Sequence, residues 1–203
     1  MSLDAKKRLI DLIKNKQIDK AIKILNSLNI DYKVGSMLAA PDTNLDEIKE
    51  SLNYFMKQRL YKVMGIVGVG SVFHQLHLHA GTSDYTFYEQ HLNKKDQLDS
   101  EIPVKYFNAD VELFFNYLEQ VHDQVKKRYY AIGQQADIDQ NKREIYIKWQ
   151  NALRILSFTI LNNIIAILRI EKVEIEAQCE KCIQDSLSNF DRYWEKRSYA
   201  AIL

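Results

Sequence analysis

From Gln134 to Leu203 the chain runs for seventy residues without a glycine or a proline. Those two residues end helices most often, so the run is expected to be helical. At its centre, Ala152 to Ile170 places thirteen apolar residues among nineteen. A helix apolar nearly all round has to be wrapped on most sides. The rest of the chain reads as that wrapping. The fold class expected is all-α: a helical bundle around a long, strongly apolar C-terminal helix, with an N-terminal helical hairpin.

Lipid could also wrap such a helix, and length argues against it. The uncharged stretch between Arg154 and Arg169 is fourteen residues. At 1.5 Å per residue that is roughly 21 Å, against a hydrocarbon core of about 30 Å. Asn162 and Asn163 lie in its middle, where hydrocarbon penalises polar side chains. No membrane span is expected.

A chain of 203 residues suits one domain with a real core. The formal net charge is +1, so no global field draws the molecule to nucleic acid or to an anionic membrane. Charge is uneven along the chain. Residues 1–30 hold seven Lys/Arg against three Asp (+4), residues 31–103 seven against ten (−3), and residues 104–203 fourteen of each. Two cysteines, Cys179 and Cys182, are too few for a disulfide scaffold and fit a reducing, cytoplasmic setting. The first residues lack the apolar run of a signal peptide.

Leu3, Leu9, Leu12 and Ile13 recur at helical spacing, as do Ile18, Ala21, Ile22, Leu25 and Leu28. Residues 1–34 therefore read as a helical hairpin docked on a main bundle of residues 35–203. Gly35 to Thr43 reads as a loop. Asn44-Leu-Asp-Glu47 has the form of a capping box before the stripe Leu45, Ile48, Leu52, Phe55. Gly65 to Phe73 is assigned to helix, and His74 to His79 to a short strand. A short helix is expected around Thr86 to Lys94, started by Ser83 or Asp84. Pro103 is expected to open a bundle helix at a first-turn position, and Gly133 to end it as a left-handed cap. The last helix, from about Ile138 to Arg197, would measure near 90 Å unbroken. Ser157, Asn162-Asn163 and Ser186 to Asn189 are the points at which it is expected to bend.

Four residues have the spacing of a metal clamp. His74 and His77 are three apart, as are Cys179 and Cys182, and one pair from each of two segments would make a zinc-type set. Packed small hydrophobes are the plainer account of the cysteines. Glu119-Gln-Val-His122 matches one arm of a di-iron bundle site, which needs two such arms and two further glutamates; the chain has one. Gly65-Ile-Val-Gly-Val-Gly70 fits no phosphate-binding loop, and no Gly-x-Ser-x-Gly is present. Lys126-Lys-Arg128 with Tyr129-Tyr130 is a basic patch read as complementing a helix C-terminus, and no nucleic acid is expected.

The function expected is that of a non-enzymatic protein–protein interaction or regulatory protein. Its pairing surface would be the amphipathic stretch of residues 173–194 together with the N-terminal hairpin, engaging a protein partner or a second copy. The second reading is a metal- or small-ligand-binding bundle, an enzyme among its forms, built on His74, His77 and His79 with zinc as the metal. No catalytic residue or other cofactor is assigned.

Overall fold

The computed structural model describes residues 17–28, 30, 32, 38–62, 77–79, 82–88, 101–103, 106–170 and 174–200. The fold is an all-α bundle with a short β-ribbon at its side. In chain order the helices are α1 (Gln17–Ser27), α2 (Leu45–Lys57), α3 (Ser83–Tyr88), α4 (Ala109–Ile138), α5 (Arg143–Leu168) and α6 (Ile175–Ala200). Leu60–Lys62 and Gln140–Lys142 are 3₁₀ turns. Strands β1 (His77–His79) and β2 (Glu101–Pro103) pair antiparallel, with Leu78 opposite Ile102. The first arm of the hairpin, the glycine-rich segment and His74 lie outside the described residues.

α5 is the centre, packed on α2, α4 and α6. Its Leu153, Ser157, Phe158, Ile160, Leu161, Ile164, Ile165 and Leu168 are buried. By length and composition α5 is apolar enough to cross a membrane, and 44% of its most apolar stretch is buried inside the bundle. Phe55 of α2 meets Phe158 edge-on at 6.4 Å, and Asp46 pairs with Arg169, so α2 runs antiparallel to α5. α4 does the same on another side, where Gln150 Nε2 donates to the Tyr129 carbonyl at 3.3 Å. α6 returns along α5, stacking Trp149 edge-on against Phe190 and Trp194. Arg128 bridges α4 and α6 with a two-pronged pair to Asp191 at 2.9 and 2.7 Å.

The capping box at α2 forms as expected: Asn44 Oδ1 accepts from the Asp46 and Glu47 amides, and Glu47 accepts from the Asn44 amide. Other boundaries differ from expectation. Pro103 ends β2 rather than opening a helix. α4 begins six residues later, at Ala109, capped by Asn108, which accepts from the Asp110 amide at 2.8 Å. The capping side chain, which satisfies an orphan amide, decides the start. Gly133 does not end α4, which runs on to Ile138. A Cβ on Gly133 would stand 3.2 Å from Gln150 Nε2. The glycine thus admits a close neighbour from α5, and the modest cost of glycine in a helix is carried by that packing. Thr82, not Ser83 or Asp84, caps α3, accepting from the Tyr85 amide at 3.2 Å.

The last helix is two helices. Neither Ser157, Asn162-Asn163 nor the Ser186 to Asn189 stretch breaks it. Ser157 Oγ donates to the Arg154 carbonyl at 2.6 Å and Asn162 Nδ2 to the Phe158 carbonyl at 3.2 Å. Side chains bonded back onto their own helix let it continue. The break falls instead between Leu168 and Ile175, and Glu174 takes a left-handed φ of 62°. α6 then folds back, so Cys179, Ile183, Leu187 and Phe190 are buried in the chain's own core. The stripe is covered by α4 and α5.

Candidate functional site

The four residues of the expected metal clamp are not brought together by any described contact. His74 is outside the described residues, and His77 opens β1 opposite Pro103. Cys179 is fully buried in the core, and burial pushes its thiol up to about 11. Cys182 is half-buried, and burial raises its thiol as well. Cys179 packs in the core as a small hydrophobe would. Among the described residues no three His, Cys, Asp or Glu side chains converge to hold a metal ion.

The thiol shifts give a direct expectation. The thiolate is the nucleophile, so neither cysteine should be alkylated by iodoacetamide in the native protein at about pH 8. Both should react once the chain is unfolded. Intact-mass measurement after brief labelling checks this, and rapid native alkylation of Cys179 would contradict its packing.

Glu119 and His122 share α4 but not an environment. Glu119 is exposed, while His122 is half-buried and desolvation holds its imidazole below the ordinary range. Nearby, Gln120, Asp123, Gln124 and Lys127 of α4 face Glu180 and Gln184 of α6 across an open groove of about 430 Å³. Its amides and charges sit along a solvated seam.

In the basic patch of α4, Lys126, Lys127 and Tyr130 are exposed, while Arg128 and Tyr129 are partly buried and engaged within the bundle. Arg128 is taken by Asp191. Tyr129 lies under the Arg154 guanidinium at 5.1 Å and accepts from its Nη2 at 2.9 Å. α4 continues for two more turns, so these cations do not sit at a helix end. Arg154 also donates to the Tyr61 and Lys62 carbonyls at 3.3 and 2.9 Å. The charge in the apolar helix is therefore a tie between α4, α5 and the turn after α2. Residue spacing could not reveal this, because the acceptors are backbone oxygens more than ninety positions upstream.

The remaining feature is α1. Ile22 is buried and Ile18 packs against the core. Asp19 accepts from the Tyr54 hydroxyl at 2.8 Å and from Gln58 Nε2 at 3.1 Å; burial and this carboxylate raise the Tyr54 hydroxyl to about 12. The opposite side is open. Ile24 of α1, and Leu28 and Ile30 just past its end, are 57%, 62% and 47% exposed, beside exposed Lys20 and Lys23. The signal was present in the sequence, since apolar residues cover too wide an arc of α1 for one contact face.

Fold and surface together define a helical bundle, among whose described residues no three metal-ligating side chains converge. The chain matches no protein-family model, no curated protein and no solved structure.

Proposed function

We propose that this chain is a non-enzymatic helical interaction or regulatory protein of the cytoplasm, and that a protein partner, another chain or a second copy, docks on the outward face of α1. The observation that supports it is the exposure of Ile24, Leu28 and Ile30 within seven residues. Single exposed aliphatics are ordinary on any protein. A cluster of them rimmed by charge is the composition of a contact surface. Residues 173–194 contribute less than their sequence suggests, because their apolar stripe is already engaged within the bundle.

Affinity recovery from the native source, followed by sedimentation of the recovered complex, tests the reading. The full chain is expected to bring down a stoichiometric partner, or to sediment as a dimer. Ile24→Asp/Leu28→Asp should lose it while keeping the native circular dichroism, since neither side chain is in the core. A complex that survives the double variant would remove α1 as the surface. One equivalent of tightly held zinc in the purified protein would favour the metal-binding reading instead.

A further inference from the structure

The charge pattern of α1 says what kind of partner fits it. Its charged residues are Asp19, Lys20 and Lys23. The single acid is turned inward, accepting from Tyr54 and Gln58, and only the two lysines remain outward. Lys20 lies one turn before Ile24, and Leu28 one turn after it, so cation and aliphatics share one side of the helix.

We infer that the partner seated on α1 is an acidic amphipathic helix, its leucine-type face on Ile24 and Leu28 and its carboxylates towards Lys20 and Lys23. The inference rests on the interaction reading above. Anchors spaced one turn apart suit a helix laid alongside another, the mode in which an apolar stripe supplies contact and flanking charge selects the partner. An anionic bilayer fits less well. Ile24, Leu28 and Ile30 include no aromatic residue to sit at the lipid interface. A bilayer is also a plane that meets a whole side of the molecule, and residues 31–203 carry an excess of three negative charges. A helix-sized partner covers only the outward face of α1, where the charges are Lys20 and Lys23.

Two synthetic helices of equal length test this on the full chain, one of leucine and glutamate, one of leucine and lysine. Vesicles of phosphatidylcholine with and without phosphatidylserine provide the third arm. Fluorescence anisotropy is expected to give the glutamate helix roughly tenfold tighter binding than the lysine helix, with the difference shrinking as salt rises. Lys20→Glu/Lys23→Glu should reverse that order, and Ile24→Asp/Leu28→Asp should abolish binding of both. Equal binding of the two helices, still lost in Ile24→Asp/Leu28→Asp, would overturn the acidic partner while leaving the α1 surface in place. Binding unchanged in Ile24→Asp/Leu28→Asp would remove the surface as well. Failure of the glutamate helix to bind a natively folded chain, or tighter binding to phosphatidylserine vesicles than to that helix, would also overturn the inference.

Discussion

Phe158→Ala is expected to lower the unfolding free energy by about 3–5 kcal/mol, the range for emptying a fully buried aromatic site. Phe158 has no exposed surface and lies on the side of α5 that faces α2, its ring edge-on to Phe55. Truncation removes the transfer free energy of the ring and leaves a cavity walled by two helices. Neither helix can close it readily, because Asp46–Arg169 fixes one end of the pair and Arg154, bonded to the Tyr61 and Lys62 carbonyls, fixes the other. Equilibrium denaturation with urea measures the loss. A change within about 0.5 kcal/mol, typical of surface positions, would mean that α2 does not lie on α5 and that the centre of the bundle is elsewhere.

The same helix shows what could be read from residues alone. Thirteen apolar side chains in nineteen positions made α5 legible as the wrapped element, and its buried inward face bears this out. The capping box at Asn44 was legible for an equally local reason, since both partners lie within three residues. Gly133 and Pro103 misled because their effect depends on neighbours distant in sequence. Gly133 stays helical beside Gln150 of α5, and Pro103 sits opposite His77 in the ribbon. Ser157 and Asn162 misled in the reverse sense, bonding back to carbonyls of their own helix. Of the candidate sites, local spacing suggested a clamp at Cys179 and Cys182; burial raises both thiols, and His74, one of its other arms, lies outside the described residues. Spacing states which side chains can meet, not which of them have already been met. The outward face of α1 was half legible: its excess of apolar arc could be counted, but the inward turn of Asp19 depends on Tyr54 and Gln58, thirty-five and thirty-nine positions away.

A chain ending at Lys172 is expected to lose cooperative unfolding altogether. The cut removes α6 and with it Cys179, Ile183, Leu187 and Phe190 from the core. At about 1.5–3 kcal/mol per buried side chain of this size, the loss is of order 10 kcal/mol, comparable with the whole stability of an ordinary domain. It also uncovers Trp149, whose ring meets both Phe190 and Trp194 at about 5.5 Å, and it deprives Arg128 of its two-pronged partner Asp191. An unpaired guanidinium beside newly exposed aromatics gives the remaining helices a reason to aggregate rather than to repack. Thermal melting by circular dichroism should therefore show a broad, non-cooperative loss of helix, with light scattering rising as the sample warms. The contrary outcome is specific. If the full chain is a dimer, and the shortened chain is a monomer that still melts sharply, then residues 173–194 pair between molecules. The packing of α6 on α4 and α5 within one chain would then have to be abandoned.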